Sequence, residues 1–499
     1  MSTVANDPNV QFEKTFRDLH WRVFHNGIDA LKKEGIIRLD SELLATIKRS
    51  SSAFRRFIRG CHYGFDLAQK GIGRVVCERE IRIRQLTSEL KSARRVRDKS
   101  VESDILTQIN VLKHQQLLLR RLADAILAHL VIKEPWILRR MQTADEIPRI
   151  DPSVLERTIQ IASDLNRENR SAFHLVSDVT TAVQIGDLIR LSFDEGPKKW
   201  EVIELKEGKV NEIIEEIIGE QPTKQQSEAM SRVEEQMGQK AAKQMRRMLR
   251  QRSREQEIEK FRTLDHGIDP KHKIPVYLTP DVVIVDDYGK AIRSVCSTAK
   301  AEGLGVVTIN GCLNLMAVSD EVYIELGEQG VAHSFFHLKE KKCRLDDQEG
   351  AIQEIRAMDN ISPFFDLCAM NLQARWPKPF FMWPMPEEAI FDLAFGRFRL
   401  YAQLDMEEFF LLARGRGIML QWTTEVSPNL GHQPIIPGSP NARALIASVP
   451  EHPDWPPQKI LMGFLGRIFL ELMPPNQLLD ILLSDFCNRP TPPADLCTP

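Results

Sequence analysis

Between Gly73 and Val131 apolar residues recur at near-heptad intervals, and that spacing commits the segment to paired helices. Ile83, Leu86 and Leu90 form one stripe, and Val101, Ile105, Ile109, Leu112, Leu119 and Ile126 form another. The charge-dense stretch from Lys91 to Asp104 interrupts the stripe, which predicts an antiparallel helical hairpin, coiled-coil-like, rather than one rod. Upstream, Phe12, Phe16, Leu19 and Val23 mark the apolar face of a further helix. The many Arg and Lys residues of the hairpin read first as solvated faces of a helical pair and second as a phosphate-contacting arm.

Pro148 and Pro152 end the helical pattern, and Ser153 to Asn166 reads as a short helix. Three extended segments follow, Phe173 to Val183, Leu188 to Phe193 and Trp200 to Leu205, separated by Gly186 and by the turn-prone Asp194-Glu195-Gly196-Pro197. A polar helical region runs from Asn211 to about Arg262, and strand signals return at Val282 to Val285 and Gly305 to Asn310 around a helix. At 499 residues the chain exceeds one ordinary core. The division expected is a helical region at 1–147, an α/β domain at 148–340, a mixed α+β region at 341–487 and a disordered tail at 488–499.

With 67 Lys and Arg against 69 Asp and Glu, the net charge of -2 leaves any polyanionic partner to local patches. The eight cysteines include no CxxC pair and no zinc-spaced cluster, so they read as reduced thiols. Met1 to Gln11 is polar where a signal peptide needs an apolar core, and the strongest apolar run, Ile460 to Met473, is short and broken by Arg467. A soluble cytoplasmic protein with no membrane partner is the expectation.

The chemistry concentrates at 186–206. Residues two apart in a strand share a face, so Glu204 and Lys206 project together while Leu205 turns away. Asp187 opens a strand directly after Gly186, which lets the backbone turn sharply. If the two strands pair, both carboxylates converge; with a backbone carbonyl they form an oxygen donor set suited to Mg2+. The same tripeptide, Glu89-Leu90-Lys91, lies inside the helical hairpin, so the strand context discriminates and the tripeptide does not.

Here the chain resembles the PD-(D/E)xK nuclease superfamily, whose core is a helix, three strands, a helix and a further strand. Asp187 matches the first acid, Glu204 the acid of the second half-motif and Lys206 its lysine, with the acids 17 positions apart. Gly186 stands where the family often has proline. The similarity spans roughly 150 to 310. It implies a restriction-endonuclease-like α/β core, and a nuclease hydrolysing phosphodiester bonds, DNA ahead of RNA, with Mg2+ or Mn2+. Asp187, Glu204 and the carbonyl of Leu205 would hold the metal, Lys206 would serve the attacking water and the transition state, and Glu156, with Asp164 competing, would be the first-helix acid. Phage defence and DNA repair are settings such an enzyme serves. On the downstream helix, Gln244, Arg246, Arg247 and Arg250 would contact the nucleic-acid backbone. The other reading of that helix is a solvated face paired with Glu255, Glu257 and Glu259.

The other features point to ordinary structural roles. Asp286-Asp287 precedes an ordinary turn at Gly289, and Gly303-Leu304-Gly305 lacks the rest of a dinucleotide fingerprint. No phosphate loop of the GxxxxGK[ST] type is present, which argues against ATP-driven work. His333 and His337 share a face without a third ligand. Phe380, Phe381 and Trp383 suit packing beneath a proline-rich loop, with base stacking as the rarer role. Two alternatives to the nuclease stay open. One is a catalytically silent nucleic-acid-binding or scaffold protein on the same fold; the other is a coiled-coil adaptor that self-associates or binds a partner protein through 73–131.

Overall fold

The computed structural model describes residues 8–32, 52–131, 138, 150–169, 171–183, 186–192, 200–205, parts of 234–268, 275–277, 288–327, 330–331, 364–374, 378–422, 445–455, 457–460 and 462–488. They form two compact units, Met1–Gly267 and Ile268–Pro499.

The first unit opens with α1 (Pro8–Phe24) and α2 (Asn26–Lys32), followed by two long helices, α3 (Ser52–Val96) and α4 (Lys99–Leu130). Phe12, Phe16, Leu19 and Val23 are buried, so the expected stripe of α1 is its packed face. The α3–α4 pair is the expected hairpin. Ile83, Leu86, Leu90, Ala93, Ile105 and Ile109 form its seam, with Leu112 packed alongside, while Val101 is exposed. Asp98 caps α4, its side chain accepting the Val101 N–H at 3.1 Å.

Helix α5 (Pro152–Glu168) begins where the sequence breaks. Asp151 is its N-cap, accepting from Ser153 N, and Pro152 occupies the first turn, where its missing N–H costs nothing. Its buried face, Leu155, Thr158, Ile159 and Ala162, lies against α3. The approach is closest at Gly73, where a Cβ would sit 1.9 Å from Ile159 Cδ1. Strands β1 (Ala172–Val176), β2 (Leu188–Ser192) and β3 (Trp200–Ile203) follow as an antiparallel meander in the order β1-β2-β3. The register pairs Val176 with Leu188 and Leu188 with Ile203.

The outer edge of β1 is closed by side chains. Gln69 of α3 accepts the Val176 N–H at 2.9 Å and donates to the His174 carbonyl at 3.3 Å. Asn166 of α5 accepts the His174 N–H at 2.7 Å and donates to the same carbonyl at 3.2 Å. These amides satisfy backbone groups that an added strand would otherwise take. A fourth strand joining this sheet therefore has only the outer edge of β3.

The helical region and the sheet thus share one unit, where the sequence placed a boundary at 147/148. The reason is that α5 and β1 complete their packing and hydrogen bonding on α3, a helix about a hundred residues upstream. The boundary expected at 340/341 is not followed either. Strand β4 (His266–Ile268) pairs with β5 (Pro275–Tyr277). In the second unit α6 (Gly289–Glu302) packs on β6 (Leu304–Ile309) and β7 (Leu313–Ser319). These two strands join β8 (Phe364–Asp366) and β9 (Phe398–Leu404) in an antiparallel sheet ordered β6-β7-β9-β8. The strand expected at 305–310 therefore belongs to this sheet and not to that of Asp187; Val282 to Val285 lie outside the described residues.

Helices α7 (Leu367–Ala374), α8 (Glu387–Ala394) and α9 (Met406–Arg414) surround that sheet's strands in the chain. A second antiparallel sheet, β10 (Met419–Trp422), β11 (Leu445–Ser448) and β12 (Gln458–Ile460), precedes α10 (Met462–Leu470) and α11 (Pro475–Asn488). Of the expected tail, Asn488 ends α11 and the rest lies outside the described residues. Among the described residues, no helix is long and apolar enough to cross a membrane.

Candidate functional site

Gly186 has φ +64, the left-handed conformation that glycine adopts without cost, and it turns the chain into β2 at Asp187. The Asp187 N–H donates to the Ile203 carbonyl at 2.9 Å, and its own carbonyl accepts from Ser177 N at 2.9 Å. Its carboxylate reaches one step further: Oδ2 accepts the Leu205 N–H at 2.7 Å. Asp187 therefore holds residues 203 and 205, the two neighbours of Glu204. Asp187, Glu204 and Leu205 are all half-buried at this end of the sheet. Lys206 lies outside the described residues.

The turn that delivers Gly186 and Asp187 is fastened to α4. After β1 the chain makes a 3-10 turn, Ser177–Val179, which carries Asp178, and continues through the buried Thr180 and Thr181. Asp124 of α4, 1 % exposed, accepts the N–H groups of Thr181 at 2.8 Å and Ala182 at 3.0 Å. It also accepts the Thr181 hydroxyl and pairs with Arg121, itself fully buried, at 2.8 Å. Arg120 donates twice to the Thr180 carbonyl, at 3.1 and 2.6 Å. A buried charge is costly unless it is paired and hydrogen-bonded; Arg121 and Asp124 are paired with each other, and Arg120 is hydrogen-bonded to the Thr180 carbonyl. Sequence periodicity missed this clamp, although three charges inside the apolar run Leu117 to Leu130 were the available signal.

Other expected site residues fall elsewhere. Glu156 is exposed on α5; burial pushes the Cys77 thiol up to about 11, with the charges of Glu156 and nearby acids adding to the effect. Asp164 accepts from Gln160 at 3.0 Å and pairs with Arg167 on its own helix. In the helical region 234–263, Ala241, Ala242, Met245 and Met248 are buried, while Arg246 is exposed and pairs with Glu234 at 3.9 Å. Gln244, Arg247 and Arg250 lie outside the described residues, as do Asp286, Asp287, His333 and His337.

Gly303 caps α6 with φ +82. At Gly305 a Cβ would meet the Val295 carbonyl at 2.2 Å, so both glycines serve the helix–strand packing. Phe380, Phe381 and Trp383 are buried, with Phe380 at 5.9 Å from Trp383 edge-on, which removes them as a base-stacking surface. The six described cysteines are free thiols. No family model, curated protein or solved structure matched the chain.

Proposed function

We propose that the chain is a metal-dependent nuclease whose site lies at the Asp187 end of β2 and β3. The observation that carries this reading is the double tie of Asp187 to the residues flanking Glu204, which brings both acids to one half-buried strand end. The order α5, β1, β2, β3 supports it, being the order of the first four elements of the superfamily core that the sequence resembles.

The donor set suits Mg2+ or Mn2+: two carboxylates and the Leu205 carbonyl are hard oxygen ligands, with no thiolate or imidazole among them. The Leu205 N–H uses one of the roughly four acceptor sites of an ionised carboxylate and orients the group. Asp187, Glu204 and the Leu205 carbonyl would hold the divalent cation, which when bound would supply Lewis-acid polarisation of the scissile phosphate. The protein's own part is positional. Asp124, Arg120 and Arg121 fix the turn, Gly186 aims Asp187, and Lys206 orients the attacking water or offsets charge developing on phosphate oxygens.

The same Asp187 to Leu205 hydrogen bond also suits a strand-end cap in a catalytically silent nucleic-acid-binding protein. Labelled DNA and RNA incubated with Mg2+, Mn2+ or chelator separate the two. Metal-dependent cleavage by the parent supports the nuclease, and binding without cleavage supports the silent protein.

A further inference from the structure

The hairpin carries a feature that neither its packing nor the Asp187 site uses. Beyond Arg84, whose guanidinium donates to the Ile150 carbonyl at 2.8 Å, the buried positions between 85 and 111 are Leu86, Leu90, Ala93, Ile105 and Ile109. All belong to the seam between the two helices, so this stretch is a two-helix rod that ends at Arg97 and Asp98. Residues 91–99 hold five cations, Lys91, Arg94, Arg95, Arg97 and Lys99, against one anion, Asp98.

The nearby acids neutralise only part of this charge. Glu102 pairs with Arg94 at 2.9 Å and with Lys99 at 3.3 Å. Lys91, Arg95 and Arg97 are exposed and take part in no ion pair among the described residues. Arg97 is also conformationally expensive, because its φ of +58 is a backbone state in which glycine is cheaper than any residue with a Cβ. Stability alone favours glycine at this helix end, yet the chain places a long cation there.

We propose that the hairpin tip, through Lys91, Arg95 and Arg97, is a phosphate-contacting arm for duplex nucleic acid. The identification of the partner rests on the nuclease reading of Asp187 and Glu204, since a polyanion long enough to touch both places is required. The turn leading to Asp187 is bound at Arg120 and Asp124, and Lys99 lies 21 residues earlier on the same helix. At a rise of 1.5 Å per residue the tip stands about 30 Å away along the arm. One turn of B-form duplex, about ten base pairs, covers nearly the same length. The tip therefore meets the backbone roughly one helical turn from the site, and it reads length and charge rather than sequence.

The test measures binding of the full chain, in calcium or chelator, to fluorescent duplexes of about 8 and about 24 base pairs over a salt series. The proteins are the parent, the triple variant K91Q/R95Q/R97Q and Arg97→Gly, with cleavage in Mg2+ followed in parallel. The triple variant is expected to bind the long duplex about tenfold or more weakly, with a salt slope shallower by between about 2 and 3, while parent and variant bind the short duplex alike. Arg97→Gly should keep or raise the Tm while weakening long-duplex binding. If the parent cleaves DNA and the triple variant binds both duplexes as the parent does, the arm is overturned and the nuclease reading stands. Tip-dependent long-duplex binding without cleavage overturns the nuclease reading and leaves the arm. Tip-dependent capture of phosphatidylserine vesicles without duplex binding overturns the arm.

Discussion

Asp187 Oδ2 accepts the backbone N–H of Leu205 at 2.7 Å, so a side chain opening one strand holds the chain just past the end of the next. The carboxylate has two separable properties in this position: an acceptor for an amide and a negative charge for a cation. Asparagine keeps the first and loses the second. Asp187→Asn should change unfolding free energy by less than about 1 kcal/mol, whereas Asp187→Ala should cost about 1 kcal/mol for the lost hydrogen bond. Both should abolish metal-dependent cleavage. Urea unfolding beside Mn2+ titration checks this; an Asp187→Asn protein that retains metal and activity contradicts the ligand role.

The clamp on α4 predicts a larger effect. Asp124→Ala removes the partner of a fully buried Arg121 and the acceptor for Thr181 and Ala182 together. Breaking a buried pair of this kind costs about 3–5 kcal/mol. Asp124→Asn, which keeps an acceptor oxygen, should cost less. Chemical denaturation of the two variants decides it, and a loss under about 1 kcal/mol for Asp124→Ala contradicts the clamp.

Much of the first unit was legible because its signals are local. The stripe Phe12, Phe16, Leu19, Val23 and the seam of the hairpin repeat at helical intervals, and the three strands alternate between turn residues. Asp187 and Glu204 could be placed at neighbouring strand ends because Gly186 marks where the chain turns. What stayed hidden is non-local. Gln69 closes the edge of β1 from 107 positions upstream of Val176, and Asp124 holds a turn 57 positions downstream. Likewise β7 pairs with β9, Leu313 opposite Leu404, across a long interval that no periodicity reports. For the same reason neither expected domain boundary matches the division at Gly267.

Acid should loosen the first unit before most carboxylates titrate. Burial holds the imidazoles of His20, His62 and His129 down to about 3, 4 and 4, with His25 and Arg17 adding to the effect at His20. In the unfolded chain a histidine titrates near 6.5, so below that pH the unfolded state binds more protons than the folded one. The stability of neutral burial is complete above pH ~6.5 and is lost as pH falls toward about 4. The Tm should drop between pH 7.5 and 4.5, and less steeply in His129→Phe, whose ring replaces one that packs at 5.3 Å from Phe24 and 6.1 Å from Phe65. A Tm that is flat over that range contradicts the assignment.

The nuclease assignment is tested by cleavage of labelled DNA and RNA by the parent, Asp187→Asn, Glu204→Gln and Lys206→Ala, with Mn2+ affinity determined for each folded protein. The parent should cleave in Mg2+ or Mn2+, and cleavage should stop with excess chelator. Asp187→Asn and Glu204→Gln should lose both metal affinity and activity, because each removes an anionic oxygen ligand from a hard cation. Lys206→Ala should keep its metal affinity and lose the chemical step, since its charge counts mostly as charge develops in the transition state. Full activity in Lys206→Ala, cleavage that persists with chelator, or no cleavage by the parent would contradict the nuclease assignment.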